Sequence, residues 1–358
     1  MNAPLDLTRL RTQPLAARRT LYRVEDLLID PASPPPSVPA VFSLAARIRS
    51  ARARGASVIL MYGAHLLRNG AARIVKELME RGWVTHVATN GAGTIHDWEF
   101  AWFGASCESV EENVATGTFG SWEETGRALH LAMLAGNLCG EGWGTALGRF
   151  IHEDGTTLPA PEELRSLLRA PDEFAGARAD LLAAMLHHGL AAGRHDFQHR
   201  WKQASILAQA HRLGVPATVH PGIGYDIISC HPMFDGATLG RAAARDFATF
   251  GASVDRLDGG VVLAIGSAVM APQVFEKSLS CVHNLRLQEG RPLVRDHTIC
   301  VVDLQDGGGW DWAQGEPPRT SPAYYLRFCK SFSRMGGRMQ YVQADNAAFV
   351  HALLHALR

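Results

Sequence analysis

Only four of the 35 basic residues are lysines (Lys76, Lys202, Lys277 and Lys330), so the chain uses arginine wherever a plain positive charge suffices. Lysine, unlike arginine, can be brought to neutrality near pH 7, and the free amine then attacks a carbonyl or imine carbon. Lys330 lies in the run Tyr324-Tyr325-Leu326-Arg327-Phe328-Cys329-Lys330-Ser331-Phe332. Burial among Tyr325, Phe328 and Phe332, beside the Arg327 cation, would lower its pKa. The competing reading is a surface lysine that lays its stem on apolar neighbours and keeps its charge in water.

Polar turns form the second group. Gly63-Ala64-His65, Asn90-Gly91-Ala92-Gly93, Pro221-Gly222-Ile223-Gly224-Tyr225-Asp226, Gly266-Ser267, Asp306-Gly307-Gly308-Gly309 and Asp345-Asn346 each follow a short apolar run. If those runs are parallel strands, all these turns share one sheet edge, where a nucleotide or small molecule binds. Taken singly, any of them is also an ordinary turn of cheap turn formers. The stretch from Asn90 to Asp97 opens a helix, whose free N–H groups favour a phosphate, although His96 replaces the third glycine of G-x-G-x-x-G. Asp226 adds a carboxylate, and His220 and His231 beside it are either proton shuttles or structural histidines. His187, His188, His195 and His199 raise the question of a metal. There is no H-E-x-x-H and no carboxylate at ligand spacing beyond Asp196, so a solvated helix face and no metal are expected. No G-x-S-x-G elbow is present, and the six cysteines are spread without a C-x-x-C pair, which reads most of them as reduced core residues.

The elements that must position these groups follow from the apolar pattern. Runs at 57–62, 85–89, 217–220, 260–265, 298–304 and 339–343 alternate with helical patterns, which predicts an α/β fold with a doubly wound parallel sheet. Residues from about 122 to 213 read as a helical insertion with helix starts at Pro159-Ala160-Pro161 and Pro171-Asp172. Residues 1–40 close on a proline-rich stretch and read as an arm or linker, leaving 41–358 as one domain. Thirty-five basic residues balance 35 acidic ones, so no net field draws nucleic acid or an anionic membrane. No apolar run reaches the roughly 18 to 20 residues of a membrane span, and the start has no apolar leader core, so a cytoplasmic protein is expected.

Placed in this order, the landmarks resemble deoxyhypusine synthase. The likeness runs through Val58 to Leu67, Val87 to Gly93, Gly260 to Ser267, Phe328-Cys329-Lys330, and Tyr341 to Asn346. It implies a Rossmann-like, NAD-binding fold and a homotetramer. It also implies a reaction in which NAD oxidises an amine and the alkylamine group moves through an imine on a lysine. The resemblance assigns Lys330 as the nucleophile and Asp226 as catalytic and substrate carboxylate, with His231, Asp306 and Phe328 also at the substrate. NAD contacts would come from His65, Asn90, Gly91, Gly93, Gly266, Ser267, Asp345 and Asn346. Arginine-rich, lysine-poor usage hints at a high-GC bacterial source, which favours a small amine as acceptor, as in homospermidine synthesis. The alternatives are an NAD-linked enzyme acting on an unrelated specialised metabolite, and a nucleotide-binding regulatory module without turnover.

Overall fold

The six apolar runs form one parallel sheet in a computed structural model that describes residues 4–358. Its strands are β1 Val58–Tyr62, β2 His86–Thr89, β3 Ala217–Val219, β4 Val261–Ile265, β5 Thr298–Asp303 and β6 Arg338–Gln343. Across the sheet they stand in the order β6-β5-β4-β1-β2-β3, which from the other edge is the 3-2-1-4-5-6 order of doubly wound dinucleotide-binding folds. β1 and β4 run side by side at the centre, from Val58 opposite Val261 to Tyr62 opposite Ile265.

Strands buried on both faces need apolar residues at every position, and β1 and β4 have them. The side chains alternate between two cores. Val58, Leu60, Tyr62, Leu263 and Val302 face one; Ile59, Met61, Val262, Ala264 and Val301 face the other. The first core is covered by α1 Val41–Ala53, α2 Ala72–Glu80 and the layer between β2 and β3: α3 Gly91–Trp102, α4 Glu123–Leu138, α5 Trp143–His152, α6 Ala175–His188 and α7 Ile206–Leu213. The second is covered by α8 Gly236–Val254, α9 Met270–Gln288 and α10 Arg327–Ser333, and α11 Asn346–Leu357 returns to pack on α1. Helix starts follow local chemistry, with Asn90, Ser205, Asp235 and Asp345 each accepting a first-turn N–H at 2.7 to 2.9 Å.

Two buried carboxylates lock the helical layer to the sheet. Asp97 on α3 accepts the Ile206 N–H at 2.7 Å and the Ser205 hydroxyl, holding the start of α7. Asp246 on α8 accepts from the Gly144 N–H at 3.0 Å and the Val219 N–H at 2.9 Å, tying α5 to the end of β3.

The N-terminal segment differs from a loose arm, and the first three of its residues lie outside the described ones. Leu15 is fully buried, Gln13 bridges Trp122, and Tyr22–Arg23 pair antiparallel with Ala105–Ser106. Arg18 makes a two-pronged ion pair with Glu99 on α3 at 2.9 and 2.7 Å. The remaining lone pairs of Glu99 take the hydroxyls of Thr125 at 2.8 Å and Ser106 at 2.6 Å. Composition around the prolines pointed to an arm or linker; these contacts together hold residues 13–23 against the domain. Two further expectations also change. His195 lies on the antiparallel strand Gly193–Asp196 rather than on a helix, and His199 is buried beside Trp98 and Phe150. Only three of the six free cysteines are buried, Cys107, Cys300 and Cys329. No helix among the described residues is long and apolar enough to cross a membrane.

Removing one partner of a fully buried pair strands the other charge, at a cost of about 3–5 kcal/mol. Arg18→Met should therefore lower the thermal midpoint by about 10 °C. Adding Glu99→Gln to it should recover part of the loss, because no bare charge then remains. A midpoint unchanged by Arg18→Met would show that the ion pair contributes nothing to stability.

Candidate active site

With all strands parallel, their carboxyl ends share one edge, and the chain reverses its direction of winding between β1 and β4. Backbone meets backbone there. The Gly63 N–H donates to the Ile265 carbonyl at 3.1 Å, and a Cβ on Gly63 would stand 2.1 Å from the Gly266 carbonyl oxygen. Gly266 has φ +58°, and its own Cβ would meet Asn346 Nδ2 at 2.3 Å. Only glycine fits either position. Asn346 is 7% exposed, and its Oδ1 has no protein partner. The neighbouring Asp345 caps α11 and accepts from Asn69 Nδ2 at 3.3 Å.

Ser267 is buried beside Gly266, its Oγ accepting the Ala271 N–H at 3.3 Å. His65 stands at the first turn of the short helix after β1. Partial burial of its ring and the Arg68 cation hold its pKa below the ordinary value, and Asp303 at the end of β5 pulls the other way. The crevice thus brings together His65, Gly266, Ser267, Asp345 and Asn346 from the expected set. Asp303 was not foreseen. Its only sequence signal is its place as the first charged residue after the apolar run Ile299-Cys300-Val301-Val302.

The rest of the expected set is dispersed. Asn90, Gly91 and Gly93 sit on the far side of β1, at the end of β2. A Cβ on Gly93 would strike Thr89 Oγ1 at 2.1 Å, and one on Gly91 would lie 2.7 Å from the Asp226 carboxyl carbon. Asp226, 5% exposed, accepts the Gly222 N–H at 2.8 Å and the amides of Gly91 and Ala92. Burial pushes its carboxyl above the usual range while those amides pull it down. The start of α3, read as a phosphate seat, therefore already holds the chain's own carboxylate. Asp226, read as the partner of a substrate ammonium, is bonded to backbone instead.

His231 turns away into the helical layer, stacked on His130 with ring centres 5.5 Å apart. Phe328 is a core residue beside Tyr341, and Asp306 is exposed, closing its own loop through the Gly308 N–H at 2.8 Å.

Lys330 occupies a surface hollow of about 310 Å3 with Tyr324, Tyr325, Arg327, Ser331 and Arg334. Its Nζ lies 2.8 Å from Glu316 Oε1 and 3.5 Å from the centre of the Tyr324 ring. The Glu316 carboxylate raises its pKa, opposite to the lowering expected from aromatic neighbours. The reason is geometric: Phe328 and Phe332 point into the core, and Tyr325 is 72% exposed. The resting side chain is an ammonium.

No family model matches this sequence, nor does any curated protein. Among solved structures, a candidate LOR/SDH protein from Methanococcus maripaludis S2 is 12% identical with a TM-score of 0.40, over 97% of this chain and 76% of that one. The ternary complex of AgrE with ornithine and NAD+ is also 12% identical at 0.40, over 89% of this chain. This chain spans about a third of AgrE, 32% of its length. A candidate deoxyhypusine synthase from Entamoeba histolytica is 11% identical at 0.36, over 84% of this chain and 74% of that one.

Burial sets the titration of the whole molecule. It pushes His86 and His130 down to about 3 and His96, His199, His220 and His231 down to about 4, from 6.5. It also pushes Asp97 and Asp246 up from 3.8 to about 7. Each histidine gives stability that is present above about pH 6.5 and lost as the pH falls toward 4. Each aspartate gives stability that is full below about pH 4 and lost as the pH rises through 7. Near pH 5 the unfolded chain binds six histidine protons against two aspartate protons in the native state. The histidines outnumber the aspartates, so stability falls as the pH falls through this range. The urea midpoint should fall steeply from pH 6.5 to 4.5; a flat or rising midpoint there contradicts this balance.

Proposed function

We propose that this chain is a nicotinamide-dinucleotide-dependent enzyme acting on an amine, with the dinucleotide seated across the ends of β1 and β4. The observation that carries this reading is the close approach of Gly63 and Gly266 beside the unpartnered Asn346 Oδ1. Glycine backbone at the point where the winding reverses lets a dinucleotide approach closely, and the free Asn346 Oδ1 can accept from one of its ribose hydroxyls or amide N–H groups. Gly266, Ser267 and Asn346 would hold it, with His65, Asp303 and Asp345 at the rim. Bound there, the dinucleotide would supply an acceptor for the electron pair of a substrate C–H bond.

The finer reading adds a covalent step at Lys330. To attack an imine carbon the ammonium must first lose a proton, and Glu316 at 2.8 Å is placed to take it. A bond then forms from Nζ to that carbon, the original C–N bond breaks, and the departing amine takes the proton back from Glu316. The tight Lys330–Glu316 pair equally suits a structural ion pair, which leaves dinucleotide-dependent oxidation without a covalent stage.

Calorimetric titration with NAD+ should show saturable binding, and Asn346→Leu should weaken it about tenfold, as expected for the loss of one hydrogen bond in a buried site. No heat with NAD+ at millimolar concentration removes the dinucleotide reading.

Borohydride reduction of a turnover mixture of NAD+ and an alkylamine should add mass at Lys330 and leave Lys330→Arg unmodified. Glu316→Gln should slow that adduct more than tenfold. Turnover by Lys330→Arg at the wild-type rate would eliminate the covalent step and leave simple oxidation.

A further inference from the structure

A cavity of about 440 Å3 lies between α4, α6 and the first turn of α8. Two deeply buried polar side chains in its wall each leave one atom without a protein partner. His130 is 1% exposed, and its Nδ1 is 2.7 Å from the Gly126 carbonyl oxygen. Only an N–H can donate to a carbonyl, so the proton is on Nδ1 and Nε2 offers a bare lone pair. Thr238 is also 1% exposed and presents Oγ1 without a partner. A buried polar atom left unpaired is costly, and a ligand group that bonds it recovers that cost.

Of the two carboxylates at the mouth, Asp180 is paired with Arg241 at 3.1 Å, and Asp235 is exposed to water with its Oδ2 accepting the Thr238 N–H at 2.7 Å. Leu134, Met233 and Phe234 make the wall apolar. A charged ligand bonded to His130 and Thr238 would find no opposite charge buried beside it.

We propose that this cavity binds a small neutral alcohol, whose hydroxyl donates to His130 Nε2 and accepts from Thr238 Oγ1–H while its apolar body lies against Leu134, Met233 and Phe234. Nε2 needs a donor, which excludes a carboxylate; an ammonium could donate to both atoms but would carry its charge into an apolar wall, whereas a hydroxyl bonds both without one. Burial keeps His130 neutral, its pKa pushed down to about 3, so Nε2 stays available at physiological pH. The His231 ring stacked on it holds its orientation. The site is separate from the crevice at β1 and β4, so it stands or falls independently of the dinucleotide.

Calorimetric titration of the full chain with benzyl alcohol, benzylamine, benzoate and toluene tests this. Benzyl alcohol should bind one to one and at least about tenfold more tightly than the other three. Thr238→Val, which keeps the shape and removes the hydroxyl, should weaken it about tenfold. Ala183→Trp, at an exposed position on the cavity mouth, should abolish binding while the far-ultraviolet spectrum and NAD+ titration stay as in wild type. Equal binding of all four probes, an unchanged affinity in Thr238→Val, or no binding of any probe would overturn the proposal, the last showing that the polar atoms are served by water alone.

Discussion

The two central strands end in a contact that admits no side chain. Gly63 and Gly266 bring β1 and β4 together with the carbonyl of one where a Cβ of the other would be. A substituent there would part the two strands on which the sheet is built, because the chain winds outward from β1 toward β3 and then from β4 toward β6. The same closeness leaves main-chain groups and the Asn346 amide as the local polar surface. The constraint that shapes the fold therefore also shapes the crevice. Strand, turn and helix meet there in the fewest atoms, which is where a ligand can approach backbone.

Around that centre, buried polar groups serve as fasteners between layers. Glu99 has its lone pairs taken by Arg18, Thr125 and Ser106, so the pair that anchors the N-terminal segment has no unmet hydrogen bond. A buried pair of this kind returns little net stability, but it admits one register for the segment. Beneath the sheet edge, His86 bonds Ser253 at 2.8 Å and Thr218 at 2.9 Å, and Thr218 bonds His220 at 3.0 Å. That chain links β2, β3 and α8, and burial keeps both imidazoles neutral. Exposed pairs such as Arg19 with Glu112 face water on both sides and contribute far less.

Lys330 and Asp226 show how one residue type serves opposite ends. Aromatics beside a lysine in sequence lower its pKa only if they surround its amine, and on α10 the helical twist sends Phe328 and Phe332 inward while Lys330 meets Glu316. Asp226 lies in the turn where a substrate carboxylate was expected, yet its oxygens are spent on the amides that open α3. In both cases a neighbour distant in sequence sets the electrostatics, and the local run gives no sign of it.

The sequence by itself determined the sheet. Six β-rich apolar runs, separated by helical patterns, placed every strand of it within a residue or two, because double burial forces continuous apolar segments and the turn residues mark where they stop. It also placed Gly266, Ser267, Asp345 and Asn346 at strand ends, which is enough to bring them to one edge once the strands are parallel. Strand order, and with it the choice of β1 and β4 as the meeting point, was decided only by packing, since each run reads alike whatever its neighbour. So was the division of the turn residues: those beside β1, β4 and β5 share a crevice, while Gly91 donates to Asp226 and Asn90 caps its own helix through the Gly93 N–H. Long-range pairs such as Arg18 with Glu99 and Lys330 with Glu316 join residues whose types are commonplace and whose spacing has no period. A charge pair depends on distance in space, and that exists only after the layers have closed.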